Sequence, residues 1–577
     1  MTSINPKILI WCREAIGISF DETSLSIMQY ESATLTATVL PSNADDKSLT
    51  WSTNDSSIAT VNNGTIVAVN IGKCVITATS VDVPSISKSC TVTIVENTRP
   101  LTPQYAAYNY NDYSKNNVYN LSSAPNNGNC KLLVVPVWFT DSTEYIKEER
   151  REIIRSDIRK AYFGSTEETG WNSVKTFYET ESFGKVSMDG VVTDWYECGK
   201  SSTEFYSESS GASLTSQLVS SAVEWYKQTY SVTSMTDFDQ DHNGWIDGVI
   251  LIYASPEYIS MGKNNAGNMW AYCYWLQSGN PSVANPNPNV FFWASYDFMY
   301  SSGNFAYTKT GKSGYGGGDT SRSNCNVDSH TFVHEMGHVF GLSDYYDYTA
   351  RYSPAAGFSM QDQNVGAHDP YSRFALGWAK AYVPTRSQTF TVGAMELSGE
   401  CVILSPSFNG SPFDEYIILE LFTKDGVNKA DATYGYSSRK SVSANYGVRI
   451  WHVDCRIYSY SKNQVTTNPT SGYVTHATTN STYVDESSAS SGRVTNLAGS
   501  YEYNQLQLIR NNTSAQYYNR SYLNQSAMFY TGDTFTLDQY STQFINQDKL
   551  NNGMSLGWEV TFNSVTETSM NITCTRL

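Results

Sequence analysis

The five residues His334-Glu335-Met336-Gly337-His338 constrain this 577-residue chain more than any other stretch. On a helix at about 100° per residue, positions i and i+4 lie about 40° apart on one face. His334 and His338 can therefore grip one zinc ion, with Glu335 beside it to take a proton from an attacking water. Val333, Met336, Gly337 and Phe340 form the neighbouring apolar stripe, so the helix is expected to be buried and its imidazoles held rigid. Gly341 is expected to stop the helix and turn the chain, returning Asp344 as a third ligand. Further on, Met360 falls where a methionine-containing turn would support the metal from below. The bland alternative is a surface helix with paired histidines.

A second cluster is Asp239-Gln240-Asp241-His242-Asn243-Gly244-Trp245-Ile246-Asp247. Oxygen ligands fall at loop positions 1, 3, 5 and 9 (Asp239, Asp241, Asn243, Asp247), with Gly244 at the sharp turn and the Trp245 carbonyl at position 7. Position 12 is Ile250 rather than a bidentate Glu, so the loop is expected to hold a structural calcium ion completed from elsewhere. His330 reads as a packing group one turn before His334. His368, His452 and Asp454 read as structural too, and the aromatics from Phe291 to Tyr300 as either core or cleft lining.

Composition narrows the function. Lys+Arg is 38 against Asp+Glu 55, a net charge of −17, which argues against nucleic acid as a partner. Aromatics at 14% with charged residues at 16% describe a chain that can bury large cores. No apolar run approaches the ~20 residues that span a bilayer. The ten cysteines contain no CxxC pair, so they read as scattered buried thiols. No Ser-nucleophile elbow, phosphate loop or dinucleotide fingerprint is present.

Residues 1–17 read as a leader remnant or tail, without a complete signal peptide. Residues 18–96 show strands at 33–40, 49–52, 65–69, 74–80 and 90–95, with Asn62-Asn63-Gly64 as a turn: a small β-sandwich. Residues 97–128 read as a linker. Residues 129–385 mix buried strands (132–139, 249–253) with helices (144–163, 214–226), an α/β catalytic region. Residues 386–577 are β-rich, with strands at 416–421, 447–453 and 558–561 and a Ser/Thr/Asn-rich loop at 466–491.

Two stretches resemble known families. ATLTATV (33–39), LTWSTNDSSIATV (49–61) and 72–79 resemble the group 2 bacterial immunoglobulin-like domain, which implies a spacer or an adhesion module. HEMGHVFGLSDYYD (334–347), the Met360 turn, PYSRFALGW (370–378), SVKTFYETESFGKVSMD (173–189) and GVRIWHVD (447–454) resemble the immune inhibitor A family of secreted bacterial zinc metallopeptidases. That resemblance implies a metzincin-like domain with zinc on His334, His338 and Asp344, and Glu335 as general base. It adds weight to the calcium loop. The expectation is a secreted or cell-surface zinc endopeptidase acting on protein or peptide substrates as a monomer. The alternative is a surface adhesion protein whose immunoglobulin-like domain binds a cell-surface or matrix ligand and whose zincin domain is inert.

Overall fold

The computed structural model describes residues 13–29, 31–96, 122–207, 213–264, 267–276, 279–300, 327–346, 354–434, 442–443, 445–459, 464–465, 474–476, 504–517 and 527–577. The chain divides into two compact units, Met1–Pro100 and Leu101–Leu577.

The first unit is all β. Its largest sheet orders Ser24–Met28, Ser87–Val95, Gly72–Ser80 and Leu49–Thr53, and a three-stranded sheet orders Ser32–Thr34, Thr65–Ala68 and Ala59–Asn62. Ile66, Ile76, Val92 and Ile94 fill the space between them, as alternation along each strand requires. The Asn63-Gly64 turn has φ of 46° and 82°, the left-handed pair that a tight hairpin needs. One expected strand is corrected: 33–40 is two strands, Ser32–Thr34 and Ala37–Leu40, in different sheets.

The second unit opens on an α/β layer. Four parallel strands run in the order Val186–Val192, Gly128–Trp138, Val249–Tyr253, Val290–Ser295, and Tyr272–Trp275 closes the edge antiparallel. Gly128–Trp138 is buried on both faces: Leu132 and Val134 face one core, Leu133, Val135 and Val137 the other. Helix Ser213–Thr229 covers the second face; Arg151–Phe163, Val174–Glu181 and His330–Val339 cover the first. The helix expected from 144 starts only at Arg151, after two short 3₁₀ turns. Phe291 and Trp293 fill one core and Phe292, Tyr296 and Phe298 the other, so these aromatics are core. The linker expected over 97–128 also ends early. Ser122 and Ala124 are buried, the Ala124 N–H donates to the Val339 carbonyl, and the Ser122 carbonyl accepts from the Trp275 indole.

The C-terminal half stacks two sheets. Lys380–Tyr382, Glu400–Leu404, Glu415–Phe422, Gly447–Asp454 and Leu506–Ile509 form one; Gln388–Gly393, Ser569–Arg576, Trp558–Val565 and Thr534–Thr536 form the other. Leu404, Leu419, Ile450 and Val560 lie between them. The opposite face of the first sheet carries Ile418, Trp451 and Val453 against Tyr345, Phe358 and Phe374, so it floors the segment that follows the HExxH helix. Most of the loop expected at 466–491 lies outside the described residues.

Candidate metal centre

Helix His330–Val339 is buried along nearly its whole length, and its two motif rings project together. The Nε2 atoms of His334 and His338 lie 3.0 and 3.2 Å from Asp344 Oδ1. Gly341 (φ 98°) makes the return possible: its N–H donates to the His338 carbonyl, and Leu342 N–H to that of Gly337. Each ring is held by its other nitrogen. His334 Nδ1 donates to the Met360 carbonyl at 2.9 Å, and His338 Nδ1 to the Leu342 carbonyl at 2.8 Å. Both Nε2 lone pairs are thereby free to face a cation.

The donor set fits zinc. Two imidazoles and a carboxylate around a tetrahedral ion with ~2.0–2.1 Å bonds stand about 3.3 Å apart, close to the separations here. Burial lowers the His338 pKa, but Asp344 and Glu335 outweigh it and hold it at about 9; the cluster is built for positive charge, which a metal would supply in place of protons. Asp344 is pushed well below the usual carboxylate range, the two rings overcoming the cost of burial.

Glu335 is buried, and burial raises its carboxyl above the ordinary range; His338, His334 and a hydrogen bond from the Cys273 backbone N–H oppose that rise. Cys273 lies in the edge strand Tyr272–Trp275, so the sheet edge itself aims this carboxylate. Met360 supports the site through its carbonyl. Its turn is fixed by Ser359, which takes the Gln361 N–H and donates to Asp369. Asp369 in turn caps helix Pro370–Ala375, with Pro370 in the first turn. Arg373 on that helix meets Glu181 and Glu396, and Glu181 also holds His368. His368 Nε2 reaches Gln361 Oε1 at 3.2 Å, so it stands behind the site rather than in it. His452 is paired with Glu415, and Asp454 with Arg456 and Asn551. Asp347 lies outside the described residues.

The second cluster forms around the loop before strand Val249–Tyr253. Asp239, Asp241 and Asp247 bring carboxylate oxygens within 4.8 Å of one another, and Asp239 and Asp247 are buried. Gly244 (φ 87°) makes the turn, and its N–H donates to Asp239. Burial, then Asp241 and Asp239, raise the Asp247 pKa to about 8 against N–H donors from Lys131 and Gln240. Three crowded carboxylates, two of them buried, suit a hard cation. Asn243 is tied to this cluster: its backbone N–H donates to Asp239 and its amide to Asp241 Oδ2 at 2.8 Å, while its Oδ1 accepts the Trp245 N–H at 2.8 Å. Ile250 is fully buried in the strand and offers no ligand.

Comparison with known proteins finds two family models that match parts of the chain. Residues 15–92 match the bacterial Ig-like domain (group 2), and residues 126–279 match the immune inhibitor A peptidase M6 catalytic domain. The two matches fall one in each compact unit. The matched peptidase stretch ends before His334. Two uncharacterized proteins of Clostridium acetobutylicum are 44% identical over 81 residues and 34% over 85. These alignments cover 14% and 15% of this chain, and only 8% and 21% of those proteins. Among solved structures, domains 4 and 5 of the S-layer protein SbsC match with 22% identity and a TM-score of 0.12, covering 14% of this chain and 44% of that one. An intimin mutant of EHEC O157:H7 matches with 21% identity and a TM-score of 0.12, covering 18% and 60%. Among the described residues no helix is long and apolar enough to cross a membrane, and no two cysteines are paired.

Proposed function

We propose that this chain is a zinc-dependent endopeptidase, exported from the cell or carried at its surface. The observation that carries the reading is the convergence of His334 Nε2, His338 Nε2 and Asp344 Oδ1 while both Nδ1 atoms are given to backbone carbonyls. Zinc, when bound there, supplies Lewis acidity towards a peptide carbonyl and the attacking water. Glu335 takes the proton from that water and passes it to the leaving amine; its raised pKa suits a group that must both accept and donate. The Cys273 N–H keeps the carboxylate aimed between those two events. The immunoglobulin-like domain and the acidic, Ser/Thr/Asn/Tyr-rich composition support an extracellular setting, with that domain as a spacer.

Calcium, by the all-oxygen donor set, is proposed at Asp239, Asp241 and Asp247, with Asn243 and the Trp245 carbonyl turning in to complete it. Its role is structural, pinning the loop that leads into strand Val249–Tyr253. Metal analysis of the purified chain, together with peptide-library cleavage before and after a zinc chelator, tests the function. One zinc per chain and chelator-sensitive cleavage are expected. Stoichiometric zinc without cleavage would point instead to an inert zincin domain on an adhesion protein.

A further inference from the structure

Behind the metal centre lies a carboxylate from far along the chain. Asp431, on helix Asn428–Tyr434 of the C-terminal half, is buried and uses both oxygens. Oδ1 lies 3.1 Å from His330 Nε2, and Oδ2 accepts the Gly366 N–H at 2.9 Å. Three residues before it, Asn428 Oδ1 accepts the Ala367 N–H at 2.8 Å. Ala367 then continues the chain of contacts: its carbonyl accepts from Met360 N–H at 3.0 Å, and the Met360 carbonyl accepts from His334 Nδ1 at 2.9 Å.

The other arm runs through the helix. His330 lies one turn before His334, is fully buried, and stacks on Trp171 with ring centroids 3.6 Å apart. Its Nδ1 faces Asp328 at 2.8 Å. With carboxylates at both ring nitrogens it is held as a cation, which fixes the first turn of the helix in place. Gly366 (φ 68°) shows how close the fit is, since a Cβ there would lie 2.7 Å from Asn428 Oδ1.

We propose that Asp431 is a positioning residue for the metal centre, holding His334 from two sides: through the start of its helix and through the Met360 turn that orients its ring. The inference rests on the zinc reading above. It makes the C-terminal half part of the metal site.

Zinc affinity of the full chain, measured by competition with a chromophoric chelator, tests it. Asp431→Asn keeps the shape but removes the charge facing His330. It should weaken zinc binding about 10–100-fold, as loss of a ligand-orienting partner does. Asn428→Ala, which releases only Ala367, should weaken it less and serves if the first variant does not fold. Glu415→Gln is the control: it removes the buried charge facing His452 in the same half, and should lower the melting temperature with unchanged zinc affinity. If Asp431→Asn and Asn428→Ala bind zinc as tightly as the wild type while melting earlier, Asp431 is structural only and the proposal is overturned. A wild type that binds no zinc would sink the underlying reading as well, an outcome distinct from failure of the Asp431 variant alone.

Discussion

The two candidate metal clusters of the second unit solve opposite problems. At His334, His338 and Asp344 the rings are anchored from behind by backbone carbonyls, and the neighbouring Glu335 carboxyl is held by the Cys273 N–H. At Asp239, Asp241 and Asp247 the carboxylates are wrapped by their own loop N–H groups. The first arrangement keeps the donors rigid. The second draws a loop around a charge. Chemistry is proposed at the first and stability at the second.

The sharpest test of that contrast is Glu335→Gln. Zinc should stay near one per chain while turnover falls about 10²–10⁴-fold, the usual contribution of a general acid–base group. Wild-type turnover in that variant would end the mechanism. His338→Ala and Asp344→Ala should lose activity differently, by releasing zinc, because two remaining ligands make a poor site. Full zinc in Asp344→Ala would hand the third position to another donor.

Smaller effects are expected at the oxygen cluster. Calcium at about 100 times its Kd would add about 2.7 kcal/mol to the folded state, so Asp239→Ala with Asp241→Ala should lower the melting temperature by several degrees. Zinc content and initial cleavage rates at low temperature should not change. An unchanged melting curve and calcium content would remove the cation from this loop.

His330 offers a pH-dependent comparison, because its positive charge is a proton's rather than a metal's. Burial lowers its pKa, yet Asp431 and Asp328 outweigh that and raise it to about 9, above the ordinary ~6.5. The stabilisation is therefore complete below about pH 6.5 and is lost as pH rises through about 9. Melting temperatures of the wild type and His330→Gln should converge between pH 6 and pH 10. A gap that stays constant would mean a neutral ring. The smallest effect is expected from removing residues 1–100, which should leave zinc content and peptide cleavage intact. Because Ser122 and Ala124 are buried in the second unit, a truncation starting near 125 would damage the fold and mislead.

The helix carrying His334 and His338 and the acidic loop were legible because their information is local: four-residue spacing in one, alternate oxygens around a glycine in the other. The buried strands at 132–138 and 249–253 were readable for the same reason, as runs of apolar residues. The supports were not. His330 meets Asp431 across 101 residues, and Glu181 meets His368 across 187. No periodicity carries such pairs, and each residue alone looks like any solvated charge. Asn243 shows what loop position leaves out, since its hydrogen bonds to Asp239, Asp241 and the Trp245 N–H lie in the folded turn rather than in the spacing.

Gly337 has a further consequence. A glycine inside a helix costs about 1 kcal/mol relative to alanine, so the metal helix surrenders intrinsic stability at its centre. A Cβ there would lie 2.3 Å from Gln361 Oε1, and Gln361 is itself fully buried, its Oε1 accepting from His368 Nε2 while its amide nitrogen lies beside the His338 ring. The vacancy of one methyl group thus admits the amide that stands between two histidines. Propensity and packing pull in opposite directions at this position. A methyl group placed there would firm up the helix while dislodging the amide that holds His368.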